Sequence, residues 1–392
     1  MIAFTFPGQG SQKPGSGQHW LEHPSWELVA EASEAAGRDV AHLLLTADAE
    51  ELRQTRNAQL STFVASALVL DAVERLGIEP TACAGHSLGE YTALVAAGVL
   101  SFGEGARLVA ERGDAMQAAA DQRAGTMAAV LGLDDDAVEV ACARVDGDVW
   151  VANYNAPGQV VVAGCPEAIE HAATAAKDLG AKKVMPVAVS GAFHTPLMAP
   201  ARDRLRKAIG TTELRAGDTT VFANVDATAH DDPDEWVGLL AAQLCSPVRW
   251  RQTLHALADA GCATFIELGP GSILSGMAKR TIDHARPLAV STPDDLDRLL
   301  EHLASGPSTG AVGTHEGEHL FATERLVVSP AAGVFRPAVD VGEGSALEPG
   351  QVVGTVGEHD VRTPFAGTFM GALALSGERV TTSQPVAWLR TT

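Results

Sequence analysis

The chain has 392 residues, enough for two or three domains and a sizeable core, and 46% hydrophobic with 20% charged residues is an ordinary globular balance. Lys and Arg number 28 against 49 Asp and Glu, a net charge of −21, which argues against nucleic acid or an anionic membrane as partner. No apolar run approaches the ~18 residues of a membrane span, and the N-terminus reads as a strand rather than a signal peptide. Five cysteines (Cys83, Cys142, Cys165, Cys245, Cys262) are scattered without metal spacing. Reduced thiols and a cytoplasmic location are expected.

In chain order, "IAFTF" (2–6) predicts a buried strand that runs into the glycine loop "FPGQGSQ". Residues 57–76 carry apolar positions at helical spacing (Leu60, Phe63, Val64, Ala67, Leu68) and stop at Gly77. "TACAG" predicts a short strand leading to Ser87. "SFGE" (101–104) is a Ser-x-x-Glu capping signal opening a helix to about residue 119. Alternating strands and helices predict an α/β domain with a mostly parallel sheet.

The pattern then changes. Strand 126–131, helix 134–144, strand 148–153, strand 159–163, helix 166–178 and strand 182–187 spell β-α-β-β-α-β, a ferredoxin-like subdomain (124–187) inserted in the larger domain (1–123 and 188–303). Such a lid over a sheet edge would create a ligand cleft. The main domain resumes with a helix in "PLMAPARDRLRKAI", a strand in "TTVFANV", a helix near 234–244, a strand in "ATFIEL", a glycine turn at 269–271 and a helix after Ser272.

Residues 304–321 are Gly/Ser/Thr-rich and predict a linker. Beyond it, 322–392 consists of short valine-rich runs broken by glycine and proline, an all-β signature. "SPAAGVF" (329–335) matches "TPFAGTF" (363–369), and 344–356 lines up with 377–389, so two similar halves are expected to interlock as a barrel-sandwich-like domain.

The chemistry begins at "CAGHSLGEYTAL" (83–94). Gly-x-Ser-x-Gly between a strand and a helix forms a turn too sharp for side chains at the glycines and holds the Ser87 hydroxyl out at the sheet edge. A serine nucleophile needs a base, and His194 in "VSGAFHTPLM" is the strongest candidate. His86 neighbours Ser87 in sequence, but adjacent residues on an elbow point apart, so it reads as a packing residue. An oxyanion hole needs two N–H donors: Leu88 at the helix start supplies one, and Gln9 in "FPGQGSQ" a second. That glycine loop could also be read as a phosphate site, but its spacing is neither the P-loop nor the dinucleotide pattern.

Seven motifs then occur in order: "FPGQGSQ", "GHSLGE", "LVAERGDAMQ", "ANYNAPGQVVVAG", "GAFHTPLM", "QLCSPVRW" and "ELGPGSILSGM". Over about residues 1–290 the chain resembles malonyl-CoA:acyl carrier protein transacylases and the acyltransferase domains of fatty-acid and polyketide synthases. The resemblance implies an α/β-hydrolase-like core, malonyl transfer from malonyl-CoA to an acyl carrier protein in fatty-acid biosynthesis, Ser87 as nucleophile and His194 as base. It implies that the Gln243 backbone carbonyl orients the histidine, that Gln9 and Leu88 form the oxyanion hole, and that Arg112 pairs with the malonyl carboxylate. Phe193 matches the residue before the histidine in malonyl-selective members, and Gln59 and Asn155 match weaker positions near the site. Leu60 departs from the family, where proline is common, without touching a proposed role.

No metal is required, and CoA is a substrate rather than a cofactor. The paired "P-x-A-G" segments of the tail resemble biotinyl/lipoyl-like domains, but no lysine follows Lys279, so covalent biotin or lipoate is excluded by residue type. Carrier proteins are typically acidic, so docking would need local positive charge; Lys182, Lys183, Arg204, Arg206, Lys207, Arg249, Arg251, Lys279 and Arg280 are the candidates. A serine esterase or thioesterase, a polyketide acyltransferase and a non-enzymatic scaffold organised by the tail are the alternatives.

Overall fold

Five consecutive residues of the N-terminal strand, β1 (Ile2–Phe6), sit at the centre of the larger sheet, and four of them are buried. The computed structural model describes residues 1–189, 191–304 and 324–390, apart from 343, 358, 365, 378 and 383. The chain divides into two units, Met1–Gly306 and Pro307–Thr392.

The strands of the first unit are β1, β2 (Ala82–Gly85), β3 (Thr126–Leu131), β4 (Val149–Ala156), β5 (Gln159–Gly164), β6 (Lys183–Val187), β7 (Thr220–Phe222), β8 (Ala229–His230), β9 (Thr264–Leu268) and β10 (Arg286–Val290). Six of them form a sheet in the order β10-β9-β1-β2-β7-β8, parallel except for the short β8. Its inner strands are apolar without alternation, as expected of a parallel sheet covered on both faces. The register pairs Phe6 with Gly85, so β1 and β2 end side by side. The loop carrying Gln9 and the turn carrying Ser87 therefore leave the sheet at the same place, the carboxyl edge where open α/β sheets bind ligands.

β3, β4, β5 and β6, with the helices Asp135–Ala143 and Pro166–Asp178, follow the β-α-β-β-α-β order of the expectation and form a separate antiparallel sheet, β4-β5-β3-β6. Strand alternation gives this sheet two jobs. Ala128, Val130, Val160 and Val162 pack with Val138 and Ile169 of its helices, while Met127, Ala129 and Val161 line a cleft.

The second unit holds β11 (Glu324–Val328), β12 (Gly333–Pro337), β13 (Ala346–Leu347), β14 (Val352–Val356), β15 (His359–Arg362), β16 (Gly367–Ala372), β17 (Arg379–Val380) and β18 (Pro385–Arg390). They form two four-stranded antiparallel sheets, β11-β18-β16-β13 and β15-β14-β12-β17. The internal repeat explains this order. Within each half the long strand pairs with its own return strand (β12 with β14, β16 with β18), and each also pairs with the short strand of the other half (β12 with β17, β16 with β13). Phe335 and Phe369, equivalent in the repeat, share one core with Leu347, Val356, Val380 and Leu389.

Several boundaries move. β4 continues past residue 153 to Ala156 through two register shifts, and the helix capped by Ser101 runs to Gln122. The Ser101 hydroxyl accepts from Glu104 N at 3.3 Å, but the Glu104 carboxylate turns to Arg107, so only half of the expected box forms. Ala304, placed in the linker, ends the helix Leu296–Ala304; residues 305–321 lie outside the described residues. The helices Leu28–Ala36, Val40–Leu45 and Trp250–Asp259 and the strand β10 carried no expectation. β10 contains Pro287, which weakens its strand signal and is tolerated because it is an edge strand. No described helix is long and apolar enough to cross a membrane.

Candidate active site

β2 ends at Gly85, the helix Gly89–Ala96 starts four residues later, and Ser87 between them has φ 54°. The two glycines are obligatory for steric reasons. A Cβ at Gly85 would stand 1.9 Å from the Gly89 carbonyl, and one at Gly89 would stand 2.0 Å from Phe6 O. His194 is also in the left-handed region, at φ 61°, in the turn before Pro196–Met198. Backbone strain of this kind survives only where the surroundings enforce it, and it concentrates at functional sites.

The strain brings the two side chains together: Ser87 Oγ lies 2.8 Å from His194 Nε2. On the other side of the ring, His194 Nδ1 lies 2.8 Å from Gln243 O. A carbonyl only accepts, so Nδ1 carries the proton and Nε2 is left to accept the serine's. Burial first, and then the positive charge of Arg112, hold the His194 pKa down to about 3, so the ring is neutral.

Arg112, on the helix Phe102–Gln122, is 1% exposed, and its Nη2 donates to Ser87 Oγ at 3.0 Å. Its guanidinium is held at both ends, by Gln59 Oε1 at 2.7 Å from Nη1 and Gln243 Oε1 at 2.8 Å from Nη2. The Tyr91 ring lies 5.6 Å from its Cζ, and among the described residues Nε has no acceptor. A buried cation whose Nη2 touches the nucleophile suits an anionic substrate group.

Gln59 Nε2 approaches Met116 Sδ at 3.2 Å and Gln9 Oε1 at 3.5 Å. The backbone amides of Gln9 and Leu88 have no acceptor among the described residues. A Cβ at Gly8 would meet His86 O at 2.6 Å, so the glycine loop is pressed against the elbow. Asn155 Oδ1 lies 2.9 Å from His86 Nε2, and His86 packs edge-on against Trp250, in keeping with a supporting position. Gln9, Gln59, Ser87, Asn155, Phe193 and His194 all border one cleft of about 310 Å³, whose other walls are largely apolar (Met116, Met127, Val187, Met277).

Asn224, Glu90 and the side chain of Gln243 were not anticipated. Asn224, just past β7, accepts from Ser87 N at 2.7 Å and donates to Gly85 O at 2.7 Å, which pins the elbow from both sides. Glu90, 1% exposed, accepts from Asn224 N and from Gln243 Nε2, both at 2.6 Å. Burial pushes its pKa up to about 8 against the pull of these hydrogen bonds. Glu90 and Asn224 lie in quoted segments ("GHSLGE", "TTVFANV"), but nothing in spacing tells that their side chains turn inward.

The basic candidates divide. Arg204 is bound by Glu111 and Arg251 by Asp135. Lys182, Lys183, Arg206, Lys207, Arg249, Lys279 and Arg280 are exposed, with Arg280 Nη2 donating to Gln159 Oε1 of the cleft wall at 2.6 Å.

A neutral histidine drawing the proton of an elbow serine at the carboxyl edge of a parallel sheet is the apparatus of serine-dependent acyl transfer. The chain belongs to the acyl transferase domain family, whose model matches residues 3–294. It is 39% identical over 307 residues to the malonyl CoA-acyl carrier protein transacylase of Bacillus subtilis (strain 168), covering 77% of this chain and 97% of that protein. Identity to the Escherichia coli (strain K12) protein of the same name is 40% over 305 residues, covering 76% and 99%. Among solved structures, the acyl-carrier-protein S-malonyltransferase from Burkholderia pseudomallei 1710b superposes with a TM-score of 0.74 at 40% identity, covering 76% of this chain and 99% of that one. A type II PKS acyl-carrier protein in complex with its malonyl-transacylase gives 0.74 at 37%, with the same coverage.

The depressed His194 pKa has a signed consequence. Unfolded His194 takes up a proton below its ordinary 6.5 and the folded ring refuses it until about 3, so stability contributed above 6.5 is lost as pH falls. Between pH 6.5 and about pH 5 this amounts to about 2 kcal/mol. Denaturant unfolding at both pH values is expected to show that loss in the wild type and to lack it in His194→Gln; equal slopes for the two proteins would contradict it.

Proposed function

We propose that the chain transfers malonyl from malonyl-CoA to the phosphopantetheine thiol of an acyl carrier protein, in fatty-acid biosynthesis, through a malonyl-Ser87 ester. The observation that carries this reading is the meeting of His194 Nε2 and Arg112 Nη2 on one oxygen, Ser87 Oγ. In the first half-reaction Ser87 Oγ attacks the thioester carbon and its proton passes to His194 Nε2. The oxyanion is received by the Gln9 and Leu88 amides. The C–S bond breaks and the CoA sulfur leaves with the proton from His194. In the second, the carrier thiol gives its proton to His194, attacks the ester, and Ser87 regains the proton as it leaves.

Arg112 holds the malonyl carboxylate, and acetyl would leave that buried charge unanswered. The bound carboxylate also cancels the positive field that, after burial, holds His194 down, so the correct substrate strengthens its own base. Phe193, nearly buried in the cleft wall, limits branching next to the acyl group. The chemistry needs no metal or cofactor, because His194 moves the proton and the amides stabilise the charge. A cytoplasmic site of action belongs to the same reading.

The core (1–123 and 188–303) is assigned as α/β-hydrolase-like, 124–187 as a ferredoxin-like insertion, and 322–392 as a biotinyl/lipoyl-like domain without its lysine. Supporting these are the parallel sheet with its serine elbow, the strand order β4-β5-β3-β6, and the exchanged halves of the tail. The esterase alternative is disfavoured because His194 is oriented by a carbonyl and the nucleophile touches a buried arginine. A polyketide carrier is the second reading for the acceptor, favoured by the 37% identity to the transacylase solved with a type II PKS carrier.

Mass spectrometry after mixing with malonyl-CoA should show one malonyl adduct on Ser87, cleared by added holo carrier protein and absent in Ser87→Ala. The same labelling by residues 1–304 alone would place the chemistry in the first unit. An adduct elsewhere, or hydrolysis without transfer, would overturn the assignment. Carrier docking is assigned to the exposed cations, chiefly Lys182, Lys183, Lys279 and Arg280. Raising ionic strength should weaken carrier KM several-fold more than malonyl-CoA KM, and equal sensitivity would contradict that patch.

A further inference from the structure

The amide of Gln243 is the junction of the site. Its Oε1 accepts from Arg112 Nη2 at 2.8 Å, and its Nε2 donates to Ser87 O at 2.8 Å and to Glu90 Oε2 at 2.6 Å. A primary amide has nearly the same shape when turned by half a revolution, so its neighbours decide which end faces which way. Turned over, Gln243 would set its NH₂ against the guanidinium and its oxygen against two acceptors.

Ser87 O is present in any elbow and Arg112 is the group being positioned, which leaves Glu90 as the side chain that anchors the far end of the amide. Glu90 reaches this place because it is the second residue of the helix Gly89–Ala96 and is buried beneath the elbow. Its other oxygen is tied to Asn224 N at 2.6 Å, a backbone donor that cannot turn away. The two donors aimed at its two oxygens call for an acceptor at both positions. Nothing in the transfer chemistry touches this carboxylate: it borders neither the cleft nor the reacting oxygen. Arg112 and Glu90 are each only 1% exposed and are joined through a single amide, that of Gln243.

We propose that Glu90 is a positioning residue for substrate selection: it fixes the orientation of the Gln243 amide and thereby holds the Arg112 guanidinium on the carboxylate-binding side of Ser87 Oγ. This rests on the malonyl-transfer reading above and names a residue by which that site distinguishes a dicarboxylic acyl group from a neutral one. Gln243 thus serves the site twice, its main chain for the base and its side chain for the cation, and only the second service passes through Glu90.

Glu90→Gln tests this with little change of shape. The backbone N–H of Asn224 claims the new oxygen, so the new NH₂ faces Gln243 Nε2, donor against donor, and the Gln243 amide has to turn or withdraw. The expected result is a fall of about tenfold in the ratio of kcat/KM for malonyl-CoA over acetyl-CoA, seen mainly as a raised KM for malonyl-CoA, with acetyl transfer changed far less. Gln243→Met, which keeps the main-chain carbonyl, should narrow the ratio similarly, and the double variant should be no worse than the worse single one.

An unchanged ratio, an equal loss for both substrates, or additive effects in the double variant would each overturn the inference. Should Glu90→Gln fail to fold in a melting control, Gln243→Met reads the same contact from the other side, and an unchanged ratio there overturns it as well. Failure of the parent reading is distinguishable, since it would show as absent malonylation of Ser87 in the wild type.

Discussion

One main-chain carbonyl, that of Gln243, determines which nitrogen of His194 carries the proton, and the remainder of the site is arranged around that choice. An acidic partner in its place would stabilise an imidazolium. A neutral carbonyl orients the ring and raises its basicity only in part, so burial, and after it the neighbouring guanidinium, keep it a weak base. Such a base suits a reversible exchange between two thiols and one alcohol, where the proton has to return as readily as it leaves. The electrostatic contrast with a carboxylate-assisted serine hydrolase lies in this one contact.

The carbonyl can do this because the sheet delivers the pieces to one edge. β1, β2, β7 and β9 are parallel neighbours, and their carboxyl ends release the Gln9 loop, the Ser87 elbow, Asn224 and the turn before the helix Ile273–Thr281. Parallel pairing, fixed by Phe6 against Gly85, thereby does what no short motif can. The cleft is completed by the inward face of the inserted sheet, where alternation sends Met127, Ala129 and Val161 toward the substrate and their neighbours into a separate small core. The polar inner layer behind it, Glu90–Gln243–Arg112–Gln59, is fully enclosed, so each of its hydrogen bonds is made in low dielectric and is correspondingly directional.

Much of this was legible in the sequence. The serine between glycines, the strand before it and the capped helix at Ser101 are local signals, and the structure bears out the helices and strands read from them. The β-α-β-β-α-β order was readable because each element has its own period and boundary residues. The tail's repeat even foretold its interlocked strands, since equivalent segments have to make equivalent pairings. What stayed hidden depends on distant chain segments meeting. Glu90 on a helix face looks like a surface charge until Asn224, 134 positions away, supplies the donor that buries it. The Gln243 side chain is similarly mute, because its three hydrogen-bond partners, Ser87, Glu90 and Arg112, all lie more than a hundred positions away in sequence. The helices Leu28–Ala36 and Val40–Leu45 carry short, mixed patterns whose burial is set by packing on the core, and β10 is disguised by its proline.

The central claim is that Arg112 receives the acid end of the acyl group while His194 stays on the Gln243 carbonyl. A crystal structure of the malonylated enzyme tests it most directly. The account predicts the ester on Ser87 Oγ, the malonyl carboxylate paired with the Arg112 guanidinium, and the His194 Nδ1 to Gln243 O contact intact. A malonyl carboxylate turned away from Arg112 into the open cleft, or a histidine that has left that carbonyl, would contradict it.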